Sequence, residues 1–175
     1  STFNICLNPY SSFAGAGKKL SMAFSGMLPP PSVKETDATV TVILSGFPVI
    51  DGRAGREALL DEMASMERHL KDAVRKFDGE FLFVHFSKKT GELFIVNDRF
   101  TAMPFFYHVG NDGRLTGSVY FTCLWRYLSA TSQLKINKEA FFEFLGFQRL
   151  FGTKTYAEDA FFLPETTPAL ETVEI

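Results

Sequence analysis

The chain has 175 residues, a formal net charge of −2, and 46% hydrophobic, 22% charged and 15% aromatic content. That length suits a single domain with a sizeable core, and the abundance of Phe, Ile and Leu excludes intrinsic disorder. The balanced charge offers no basic footprint for nucleic acid, and no apolar run approaches the roughly 20 residues of a membrane span.

Two cysteines, Cys6 and Cys123, suit neither a disulfide framework nor a zinc or CxxC redox motif. The first twenty residues carry Pro9, Gly15 and Gly17 but no basic-then-apolar leader pattern. These features predict a soluble cytoplasmic protein with free thiols. Phenylalanine is the unusual count, 20 of 175. Such large, stiff side chains favour a thick sheet-based core, with an exposed interface as the alternative.

In chain order, Thr2–Asn8 predicts a short strand stopped by Asn8-Pro9. Residues 9–37, rich in Ser, Gly and Pro, read as a long loop without pattern. The β-branched run Ala38–Leu44 is a strand that Ser45-Gly46 ends. Gly52 and Gly55 then lead into a helix whose stripe is Leu59, Met63, Met66, Leu70, Ala73 and Phe77. Arg68 and Asp72, four apart, pair weakly on its wet face, and Asp78-Gly79 stops it.

Two strands follow, Glu80–Phe86 and Glu92–Asn97, joined as a hairpin through Ser87–Gly91. Two more, Pro104–Val109 and Leu115–Tyr120, flank the turn Gly110–Gly113, so that four antiparallel strands run in sequence order. Helices are expected at Phe121–Leu128 and at Lys138–Phe147, the second capped by Asn137 with Ala140, Phe141, Phe144 and Leu145 inward. Residues 155–175, with Pro164 and Pro168, read as an irregular tail. The whole is one α+β domain over residues 1–175, with helices covering antiparallel sheet.

Most catalytic constellations are absent. There is no phosphate loop, no dinucleotide fingerprint, no HExxH and no GxSxG. His69, His85 and His108 are scattered without companions at ligand spacing, so they read as structural and no metal or cofactor is expected.

One stretch is more specific. Asp78-Gly79-Glu80-Phe81-Leu82-Phe83-Val84 is followed by Lys89-Thr90-Gly91-Glu92-Leu93-Phe94, then Asn97-Asp98-Arg99-Phe100 and Pro104-Phe105-Phe106-Tyr107. On physical grounds Asp98-Arg99 braces the corner between two strands, while the aromatic residues fill the layer between sheets. Asp78, Gly79, Asp98, Arg99 and Pro104 thus read as scaffold residues.

The same motifs resemble the glutaminase domain of asparagine synthetases, a class II glutamine amidotransferase module. The likeness runs over about residues 38–170 and is strongest over 78–124; Gly113–Leu124, Leu134–Thr153 and Ala160–Pro164 carry its later part. It implies a four-layer α/β/β/α sandwich of two antiparallel sheets, the N-terminal-nucleophile type. It also implies an N-terminal cysteine nucleophile whose own amino group is the base, an Asn-Gly oxyanion pair, and an ATP-using partner domain that receives the ammonia.

The chain departs from that pattern at the site positions. Ser1 stands in place of Cys, and Thr2 in place of Gly. Ser45-Gly46-Phe47 stands where the resemblance places Asn-Gly-Glu, the Ser-Asp before the helix has no counterpart, and residues 9–37 contain no Arg. Nor is there an S-G-G-x-D-S loop for a nucleotide's pyrophosphate. The expectation is therefore a glutaminase-like domain that has lost glutaminase activity and scaffolds an ATP-dependent amide-forming ligase domain, in cis or in trans. The alternative is an amidohydrolase using Ser1, or Cys6 unmasked by processing, as nucleophile.

Overall fold

The computed structural model describes residues 2–5, 10–15, 18–23, 32–65, 77–111, 113–131 and 133–164. In chain order the strands are β1 (Thr2–Ile5), β2 (Tyr10–Gly15), β3 (Lys18–Ala23), β4 (Ser32–Glu35), β5 (Thr39–Ile50), β6 (Arg53–Ala54), β7 (Phe77–Ser87), β8 (Leu93–Asn97), β9 (Phe106–Val109), β10 (Leu115–Ser118) and β11 (Ala160–Phe162). The helices are α1 (Arg56–Ser65), α2 (Phe121–Ala130) and α3 (Lys138–Phe147).

The strands form two sheets. One runs β11-β9-β10-β1-β3-β2 and the other β4-β5-β7-β8, with β6 hairpinned onto β5. Pairing is antiparallel except at β1, which lies parallel to both β10 and β3. Three apolar layers define the architecture. Val40, Val42, Leu44, Leu82, Val84, Phe86, Leu93 and Ile95 of the second sheet meet Phe105, Leu115, Val119 and Leu163 on the side of the first. The opposite faces of β5, β7 and β8 present Ile43, Phe81, Phe83 and Val96, which pack with Leu59 and Leu60 of α1. Leu124 and Leu128 of α2 pack with Ala157, Ala160 and Phe106 on the outer face of the first sheet. The result is an α+β sandwich, helix over sheet over sheet over helix.

This layering explains the run Phe81–Phe86, apolar but for His85. Successive side chains of a strand point to opposite faces, and here both faces are covered, so all six are buried. Close packing of the inter-sheet layer against β10 also fixes Gly117, where a Cβ would lie 2.3 Å from the Phe105 ring.

Several elements differ from the sequence reading. Residues 9–37 contain β2, β3 and β4 instead of one long loop. Pairing of β2 with β3, of β3 with β1 and of β4 with β5 supplies a ladder that Ser, Gly and Ala do not announce by propensity. Strand β5 does not end at Ser45-Gly46. It continues through a bulge between Ile43 and Ser45 and keeps pairing with β7 as far as Ile50.

Asp51 and Gly52, at φ of 49° and 76°, form the two-residue turn between β5 and β6 and do not lead directly into a helix. Phe77 opens β7 instead of closing the helical stripe, so Asp78-Gly79 lies inside a strand. Met66, Leu70 and Ala73, and the Arg68–Asp72 pair, fall outside the described residues, as do the side chains at 63–65.

The four strands expected as one meander are two hairpins in different sheets, because the chain crosses between β8 and β9. Residues 160–162 of the expected tail form an edge strand on β9. On α3, Asn137 Oδ1 accepts from the Ala140 amide at 3.0 Å, but of the four residues expected inward only Ala140 is buried. Phe141, Phe144 and Leu145 are exposed because nothing among the described residues covers that face except the Tyr156 ring beside Phe141 and Phe144.

Candidate functional site

Ser45-Gly46-Phe47 lies immediately after the β5 bulge, opposite Leu82, Phe81 and Glu80 of β7. Gly46 has φ of +109°, and a Cβ there would sit 2.0 Å from the Glu80 carbonyl oxygen. Only a glycine permits this approach of two backbones. Gly79 makes the reciprocal approach from β7, at φ +82°, with its notional Cβ 2.4 Å from the Phe47 carbonyl.

Arg56, the first residue of α1, donates from Nε to the Gly46 carbonyl at 3.2 Å. Nothing in the sequence pattern alone singles out Arg56. The Asp51-Gly52 pair is the signal that could have found it, since that turn folds 53–56 back beside β5. Phe47 is 67% exposed. Ser1 and Cys6 lie outside the described residues.

Asp98 follows β8 and is fully buried. Its Oδ1 accepts from the Phe100 amide at 2.8 Å, and its Oδ2 from Ala102 at 3.0 Å and Phe81 at 3.4 Å. Its own amide donates to the Phe81 carbonyl at 2.9 Å and to Asn97 Oδ1 at 2.9 Å. One carboxylate thereby holds the crossover between the sheets to the middle of β7. Thr101 adopts φ of 52° within that corner. Arg99 points outward and is exposed; Pro104 is half-buried; Asp78 is exposed and accepts from the Gly79 amide at 2.8 Å.

The histidines do not converge. His85 is buried beside Thr41 and Phe94 in the second sheet, His108 lies in β9 of the first, and His69 is outside the described residues. Among the described residues no group of His, Cys, Asp and Glu is arranged to hold a metal ion, and no helix is long and apolar enough to cross a membrane. Cys123 is a free, partly buried thiol on α2.

Residues 50–128 match the family model of the glutamine amidotransferase domain. The matched span runs from the end of β5 through most of α2, so it contains the Asp98 corner and leaves out Ser45 and Gly46. No curated protein and no solved structure matches the chain.

Proposed function

We propose that this glutamine amidotransferase-like domain is a non-catalytic member of the N-terminal-nucleophile type, related to the asparagine synthetases. It acts in the cytoplasm as a scaffold for an ATP-dependent amide-forming ligase domain, in the same chain or a separate one. The observation that carries the reading is the composition and setting of Ser45-Gly46-Phe47. An oxyanion site needs preorganised donors aimed at the developing charge. Here a hydroxyl residue replaces the amide donor expected in the second-sheet strand, and the next side chain is an exposed phenyl ring instead of a carboxylate. A free amino acid brings two charges that must be matched on desolvation, and Phe47 matches neither.

The face of α3 supports the scaffolding part. Phe142 and Leu145 are each 72% exposed and Phe147 67%, on a helix that is mostly apolar apart from Lys138, Glu139 and Glu143. An apolar helix face is normally packed against a partner element, and an exposed apolar patch of this kind marks an interaction surface. The helix is held in place from below: Lys154 bonds Glu139 at 3.0 Å and Glu143 at 3.1 Å, and Glu143 accepts from the Phe151 amide. These bonds raise the Lys154 ammonium and lower the Glu143 carboxyl from their ordinary values.

The test is a glutamate-release assay on protein whose N-terminus is defined by intact mass. The expected result is no release above background. Release from L-glutamine that disappears in Ser1→Ala or in Cys6→Ala would replace the scaffold reading with the amidohydrolase one.

A further inference from the structure

Helix α3 stands proud of the domain. Of its ten residues only Ala140 is buried, and the Tyr156 ring flanks it beside Phe141 and Phe144. Phe141, Phe142, Phe144 and Leu145, spaced one, three and four apart, share one broad arc of its surface. Phe147 lies one turn beyond Phe144, and its ring meets Phe151 edge to face at 5.5 Å. The five phenylalanines between 141 and 151 are 39–72% exposed. At roughly 200 Å² per aromatic side chain, they leave about 500 Å² of apolar surface in solvent.

Gly146 is a second, independent feature of the same face. Glycine inside a helix costs stability relative to alanine, and the domain gains nothing in return, since a Cβ at 146 would meet nothing within 4 Å. The helix does not need this glycine as its stop either, because the left-handed cap residue is Gln148, at φ of 56°. Gly146 follows Phe142 by four residues and so lies beside it on the helix surface, leaving a notch next to the most exposed ring of the patch. A projecting ring beside a notch is self-complementary. Across a twofold axis, Phe142 of each copy seats over Gly146 of the other.

The charges around the patch are largely matched within the chain. Lys154 bonds Glu139 and Glu143, and Arg149 lies over the Phe151 ring, 4.4 Å from its centroid. Lys138 is the one remaining charge of the helix, so the patch presents no field of a single sign to select an oppositely charged partner. A standard interface buries about 800 Å² on each side, about two-thirds of it apolar when the partners are identical. The apolar area open around α3 is close to that requirement.

We propose that the α3 face is a homodimer interface, covered by a second copy of this chain in twofold packing with Phe142 of each copy over Gly146 of the other. The inference rests on the scaffold reading in its use of the α3 face and names what covers that face, so that one assembled scaffold carries two ligase domains. Its readout is association of this chain alone, without glutamine or ligase. A failure here leaves the scaffold reading standing, and glutamate release would overturn that reading without touching this one.

Sedimentation equilibrium of the chain across a dilution series is the test. The expected result is twice the monomer mass at about 100 μM and dissociation on dilution through the micromolar range, the weak end for an interface of this size. Phe142→Ser should weaken association about tenfold or more, as for a central aromatic anchor. Gly146→Gln should abolish it while raising the melting temperature of dilute, monomeric protein, because glutamine is the better helix former and its Cβ meets open space within the domain. A monomer at every concentration, open-ended polymers, or dimers that survive both substitutions would each overturn the proposal. So would a lower melting temperature in dilute Gly146→Gln, which would mean that the domain itself fills the notch.

Discussion

Thr41 Oγ1 and His85 Nδ1 lie 2.8 Å apart across β5 and β7, beneath the helix-covered face of the second sheet. The hydroxyl gives the imidazole a partner, but burial still disfavours its charged form and lowers its pKa from 6.5 to about 4. The unfolded chain therefore binds this proton more tightly than the fold does. The stability at stake is complete above pH 6.5 and is lost as pH falls toward 4, a difference of about 3 kcal/mol. Urea unfolding at pH 7 and at pH 4.5 should show most of that loss in the native protein. In His85→Gln the part of the pH slope due to this residue should vanish; an unchanged slope would place the acid sensitivity elsewhere.

The Asp98 corner makes a prediction about neighbouring residues of opposite fate. Asp98→Ala leaves three amides, those of Phe81, Phe100 and Ala102, without their carboxylate. The Phe81 donor is buried and costs about 1–3 kcal/mol when stranded; the part-buried Phe100 and Ala102 amides regain water and add less, so a loss of about 2–3 kcal/mol is expected. Arg99→Ala removes an exposed side chain and should stay within about 0.5 kcal/mol. Denaturant midpoints for the two variants are the comparison, and similar values would mean that the corner is held by something other than Asp98.

Glycine positions can be separated by what surrounds them. Gly46→Ala meets the Glu80 carbonyl at 2.0 Å as well as a positive φ, while Gly52→Ala has the positive φ and nothing within 4 Å. The second substitution should cost about 1 kcal/mol of backbone strain. The first should cost several times more, since β5 and β7 must separate to admit the methyl. Thermal unfolding of the two variants side by side tests this ordering.

Among the phenylalanines, Phe83 is fully buried against Phe77 and Phe81, whereas Phe142 is 72% exposed. Phe83→Ala should lose about 3–5 kcal/mol. Phe142→Ser should leave stability within about 0.5 kcal/mol while reducing self-association or partner binding measured by sedimentation. A large stability loss for Phe142→Ser would show that the α3 face is covered within the domain.

Glutamine itself provides the last check on the scaffold reading. Saturating ligand at about 100 times its dissociation constant would add about 2.7 kcal/mol of stability, a rise in melting temperature easily seen by calorimetry. Millimolar L-glutamine is expected to produce none. A saturable rise with L- but not D-glutamine would restore the case for an active site.

Read residue by residue, the sequence determined the α+β class, the β7–β8 hairpin and the motif around Asp98. Apolar runs, the Gly91 turn and a cap such as Asn137 act over a few residues, and local physics is written locally. The same patterns could not say that β8 and β9 belong to different sheets, because a crossover and a hairpin turn of similar length look alike in one dimension. Nor did propensity disclose β2 and β3, a local hairpin of mostly small and polar residues that joins the sheet through β1, or the continuation of β5 past Ser45 through a bulge. The fate of the aromatic residues was decided last of all. Phe83 and Phe142 are the same side chain, and only the packing of sheet against helix, present over one and absent over the other, makes the first a core residue and the second a surface. His108 belongs to the same lesson: an unaccompanied histidine in a strand pattern acquires Asp159, Lys135 and Gln133 as neighbours only when β11 and the segment after α2 close around it.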